Sequence, residues 1–119
     1  MAFVYDEENQ CFSMERNNIL FSCETLDSVL EQTVDRLALQ YEDKLSTIAE
    51  YIISNAEFQE IYGELSKEEM LEMLKEMTIP WIFLKENASG TIAYCDPDYV
   101  IEFAFSGDFE SFCDFHIDS

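Results

Sequence analysis

Residues 26–55 read LDSVLEQTVDRLALQYEDKLSTIAEYIISN. Leu26, Val29, Leu30, Val34, Leu37, Ala38, Tyr41, Leu45, Ile48, Ala49 and Ile52 recur in it at steps of three and four. That period places them on one stripe of an amphipathic helix, which predicts a helix from Leu26 to Asn55. At 1.5 Å per residue it would be about 45 Å long, more than so small a domain can cover. A bend or break near Glu42 and Asp43, or an exposed end, is therefore expected. Thr25 or Glu24 stands where an N-cap belongs, and Asp27 and Glu31 place negative charge at the positive end of the helix dipole.

On both sides of this stretch the apolar period shortens to about two. Phe3 to Tyr5, Cys11 to Met14 and Ile19 to Cys23 read as strands, separated by the polar run Asp6 to Asn9 and by the turn pair Asn17, Asn18. Beyond the long helix, Ala56 to Tyr62 reads as a helical turn stopped by Gly63. Ser66 and Glu69 then form a capping box that opens another helix, ended at Thr78 to Pro80. Met70, Leu71, Met73, Leu74 and Met77 share one face of it, read here as core. Four further strands follow: Trp81 to Lys85, Thr91 to Cys95, Tyr99 to Phe105 and Phe109 to Ile117. Their short connections predict an antiparallel meander. Strict alternation turns Tyr99, Ile101, Phe103 and Phe105 to one face, with Val100, Glu102 and Ala104 on the other. In the last strand it turns Phe109, Cys113, Phe115 and Ile117 inward, and Glu110, Phe112, Asp114 and His116 outward. The predicted fold is α+β: an antiparallel sheet, one face wet, packed against one long helix and a shorter second one, in a single domain spanning residues 1–119.

Asp and Glu number 26 against 6 Lys and Arg, for a formal charge of −20, yet 48% of residues are apolar, so the chain can bury a core. Such a surplus repels nucleic acid and excludes direct DNA or RNA binding, while it attracts basic proteins and cations. With no apolar run of membrane-spanning length and no positively charged leader, a cytoplasmic protein without membrane contact is expected. Cys11, Cys23, Cys95 and Cys113 stand singly, without a C-x-x-C pair, as thiols of a reducing compartment do.

Few residues suggest chemistry. His116, the only histidine, is flanked at strand spacing by Asp114 and Asp118, a set able to hold a divalent metal but more simply read as a solvated surface histidine. Cys113 lies an odd number of residues from His116, so an ideal strand turns the two apart. Glycine-rich phosphate loops are missing. We therefore expect no catalytic residue, no metal, no cofactor and no enzyme activity. The carboxylates, by contrast, are distinctive in their distribution: beyond Lys85 there are eight and no Lys or Arg.

The order of elements over Leu45 to Ile117, with the Ser66-x-x-Glu69 box, a strand, an acidic turn and a strand closing in Gly107, Asp108, Phe109, resembles small acidic bacterial immunity-protein domains of polymorphic or contact-dependent toxin systems. Where that family's pattern continues with Trp, Gly and His, this chain reads Phe109 to His116 without the Trp or the second Gly, so no residue roles carry over. The resemblance implies a protein partner. Joined to the charge, it gives the expectation of an immunity protein that blocks a cationic, nuclease-type toxin through Asp96, Asp98, Tyr99, Glu102, Asp108, Glu110, Phe112 and Asp114, with aromatics central and carboxylates at the rim. The alternative is a nucleic-acid mimic that inhibits a restriction or CRISPR effector, and the exposed helix ends with Phe112 would equally serve a homodimer.

Overall fold

A computed structural model describes residues 3–26, 29–77, 79–85 and 89–118. Asn17 and Asn18 both take left-handed backbone angles, φ 52° and 61°, which asparagine tolerates well. Together they make the two-residue hairpin that joins β2 (Cys11–Arg16) to β3 (Ile19–Cys23). A short β1 (Val4–Asp6) pairs with the other side of β2. The chain then leaves the sheet for three helices, α1 (Leu30–Ile53), α2 (Ala56–Tyr62) and α3 (Lys67–Glu76). It returns as β4 (Trp81–Leu84), β5 (Gly90–Cys95), β6 (Val100–Ser106) and β7 (Ser111–Asp118). The seven strands form one sheet in sequence order, antiparallel throughout except where β3 and β4 run parallel. This is the expected α+β architecture, with the helical crossover supplying the one parallel pair.

The stripe on α1 packs as expected, with Leu30, Val34, Leu37, Ala38, Ile48, Ala49 and Ile52 buried. Its boundaries differ. The helix begins at Leu30, with Val29 at the N-cap in place of Thr25 or Glu24, and leaves Leu26 and Val29 exposed. Asp27 lies outside the described residues. Nor does α1 break at Glu42 and Asp43. Both are exposed, between the partly buried Tyr41 and Leu45. The stripe therefore continues without interruption, and about 36 Å of helix is shorter than the 42 Å longest extent of the molecule. The break comes at Asn55, which is extended (ψ 130°) and opens α2.

At α3 the capping box forms as read: the Ser66 hydroxyl accepts from the Glu69 amide at 3.1 Å, and the Ser66 amide donates to Glu69 Oε1 at 3.0 Å. Met70 and Leu74 are buried, and Leu71, Met73 and Met77 pack partly against the core. The helices cover one face of the sheet. On that face Met14, Phe21, Ile82, Ile92 and Phe103 lie side by side across five strands, each 5% exposed or less.

Candidate partner-binding site

The β5–β6 turn is organised by Asp96. Its Oδ1 accepts the amides of Asp98 at 2.8 Å and Tyr99 at 2.7 Å, a side-chain turn that aspartate makes readily, and its Oδ2 accepts the Tyr62 hydroxyl. Burial works to raise the Asp96 carboxyl, but these three donors outweigh it and hold the group below the ordinary aspartate value. Burial, and then the Asp96 carboxylate, raise Tyr62. The Tyr62 ring stacks on Phe58 at 4.7 Å and meets Tyr99 edge-on at 5.8 Å, so α2 and the turn are clamped together. Beside them Glu57 Oε1 accepts the Ile117 amide at 3.4 Å, occupying one donor of the edge strand β7. Asp98 is left exposed.

The β6–β7 turn lies at the other end of β6, about 20 Å away at strand rise. Gly107, Asp108 and Phe109 are successively left-handed there, with φ 63°, 57° and 68°. For Phe this is a strained geometry, held because its ring is fully buried, 4.8 Å from Phe105 and edge-on to Tyr41. Asp108 is gripped by both prongs of Arg36, Nε at 2.8 Å and Nη2 at 3.2 Å. Glu110 is exposed.

Along β7 the alternation read from sequence fails. Glu102 pairs with His116 but Ala104 pairs with Cys113, so Asp114 and Phe115 together face Phe103 in a β-bulge, with Asp114 at φ 56°. The extra residue reverses the faces upstream of it. Phe112, expected outward, turns inward and stacks on Tyr51 at 5.1 Å; Cys113, expected inward, is exposed. Phe115 and Ile117 keep their inward positions. The bulge also takes Asp114 off the face of His116, and Glu102 replaces it: His116 Nε2 lies 3.5 Å from both Glu102 Oε1 and Asp118 Oδ2. Among the described residues no group of three or more His, Cys, Asp or Glu side chains is placed to hold a metal.

The eight residues singled out by sequence therefore do not share one surface. Asp96, Asp98 and Tyr99 gather at one end, with Glu102 on the adjoining outer face; Asp108 and Glu110 lie at the opposite end, Phe112 inside and Asp114 in the bulge. Asp96 and Asp108 are engaged internally.

Sequence reasoning missed the sheet face turned away from the helices. One row across it runs Glu15, Leu20, Trp81, Ala93, Glu102, His116, and the next runs Ser13, Ser22, Phe83, Thr91, Ala104, Cys113. Leu20, Trp81, Phe83, Ala93 and Ala104 are only partly buried, where a wet, polar face was expected. Trp81 is fixed by an indole N–H bond to the buried Ser22 hydroxyl, 2.7 Å. The unbroken apolar run Trp81–Leu84 was the available signal, since a strand with nothing polar at either parity is apolar on both faces.

Two features lie apart from these residues. The Tyr41 and Tyr94 hydroxyls hydrogen bond at 2.6 Å under α1, and burial pushes Tyr41 up to about 12. Nearby, a cleft of about 630 Å³ opens between the β2–β3 turn, α1 and the end of α3. Among the described residues no helix is long and apolar enough to cross a membrane. In comparisons with known proteins, no family model, no curated protein and no solved structure matches the chain.

Proposed function

We propose that the chain is an immunity-type inhibitor: it binds a cationic protein toxin of nuclease type, blocks it, and performs no reaction of its own. One observation carries this reading. Surplus carboxylates stand at the β5–β6 end on backbone that Asp96 and Tyr62 hold rigid, so Asp98 and Glu102 present charge from a fixed frame next to the Tyr99 ring. Charge presented from a rigid frame loses little entropy on docking and speeds encounter with a basic surface. A nuclease must hold phosphates in a cationic cleft, and carboxylates that fill the cleft deny it to nucleic acid by both volume and charge. Since Asp96 is engaged internally and Asp108 and Glu110 lie at the opposite end of β6, the contacts fall to Asp98, Tyr99 and Glu102. In the cell this is a cytoplasmic role, exercised where the toxin would act.

The test is to titrate the chain against the product of the adjacent reading frame at low and high salt. A tight complex that weakens as salt rises, and weakens further in Asp98→Lys and Glu102→Lys, is the expected result. Affinity indifferent to salt and to both reversals overturns the reading.

A further inference from the structure

We infer that the cationic partner seats on the sheet face turned away from the helices, and that it contributes an apolar segment flanked by Lys or Arg; this rests on the reading of a cationic protein partner above. The shape comes from the strand register. Thr91 and Ala93 on β5 and Ala104 on β6 are small and adjacent, while Trp81 and Phe83 on β4 are large and lie directly beside them. Small side chains next to a wall of rings make a shallow trough, and the indole bond to Ser22 holds one ring of that wall in place. The trough has the anatomy of a protein interface, with aromatic side chains at the centre and charge at the margin.

Charge selects the occupant. Glu15 closes one end of the row through Trp81 and Ala93; at the other end Glu102 and Asp118 stand 3.5 Å on either side of His116 Nε2, two carboxylates to one imidazole, and Lys85 follows β4 at the far end. A second copy of the chain would bring these same carboxylates and a further charge of −20 against them. A segment with Lys or Arg on either side of apolar residues instead pairs Glu102 and Asp118 while covering the rings.

Trp81 is the only tryptophan, so its emission reports this face alone. The probes are a short peptide of alternating Leu and Lys, and a peptide of equal charge with Ser in place of Leu. The expected result is a saturable blue shift of Trp81 with the Leu-Lys peptide alone, weakened about tenfold or more, roughly 1.4 kcal/mol, by Ala93→Arg or by Thr91→Lys. Both substitutions sit on partly buried outward positions, and circular dichroism checks that each variant folds. If both peptides bind equally, leave Trp81 unmoved and ignore these variants, the sheet face is overturned while a cationic partner stands. If neither peptide binds, both readings fall. If the chain alone self-associates with Trp81 already shielded, the occupant is a second copy and the inference is overturned.

Discussion

The two faces of the sheet are built from the same strands and differ in what covers them. On the helix side Phe103 is 1% exposed and meets Tyr51, Tyr94, Phe112 and Phe115 at ring distances of 5.1 to 6.3 Å. On the other side Phe83, on a neighbouring strand but one, is only partly buried and has Ser22 and Thr91 as its cross-strand neighbours. Similar side chains thus serve stability on one face and remain available on the other. The covered face has satisfied its apolar surface; the uncovered one has not.

The largest effect separates the faces directly. Phe103→Ala should cost about 3–5 kcal/mol, as large-to-small changes in packed cores do, whereas Phe83→Ala should cost less, about 2 kcal/mol, because part of the ring already meets water. Urea denaturation of both variants measures this, and equal losses would mean that the outer face is as covered as the inner one. A second difference is chemical. The hydroxyl pair of Tyr41 and Tyr94 lies on the covered side, and burial raises Tyr41 to about 12. A raised folded value means the proton is held more tightly in the folded state. The stabilisation is complete below the unfolded value near 10 and is lost as pH rises from there to about 12. Stability followed by denaturant midpoint should fall across that window, and Tyr41→Phe should flatten the fall.

Smaller effects distinguish the two ends of β6. Asp96→Ala removes the acceptor of the Tyr62 hydroxyl and of two turn amides, for a loss of about 1–2 kcal/mol. Asp108→Ala breaks a partly exposed ion pair with Arg36, worth about 0.5–1 kcal/mol. The Asp96 contribution also has an acid signature: its folded value is depressed, so the stabilisation is present above the unfolded value and disappears as pH falls through the folded one. Least of all, Asp114→Gly relieves a left-handed residue in the bulge and should leave stability unchanged or raise it by about 0.5 kcal/mol, while Asp114→Val should lower it by about 1–2 kcal/mol. Thermal melts suffice to order these variants.

Local information was enough for much of the fold. The α1 stripe, the Ser66 box and the Asn17, Asn18 hairpin all depend on residues a few positions apart, and each formed where the sequence placed it. The start of α1 did not, because no side-chain cap marks Val29. The bulge was hidden for a related reason: its left-handed residue is Asp114, where a glycine would have announced it. The roles of the turn aspartates were hidden by distance, since Tyr62 lies 34 positions from Asp96 and Arg36 lies 72 from Asp108. Charge therefore marked the acidic turns as a surface without revealing that two of their carboxylates are engaged internally. The aromatic centre expected at Phe112 is found on the inner face, and the outward rings are Trp81 and Phe83.

The most direct test of the two-faced sheet follows the methyl groups by NMR while the Leu-Lys peptide is added. Thr91, Ala93 and Ala104 report the uncovered face, Ile82, Ile92 and Ile101 the covered one, and Leu71, Met73 and Met77 the partly buried side of α3. The first group is expected to shift and saturate while the other two stay in place. Shifts confined to the α3 methyls, with Ala93 and Ala104 unmoved, would contradict it.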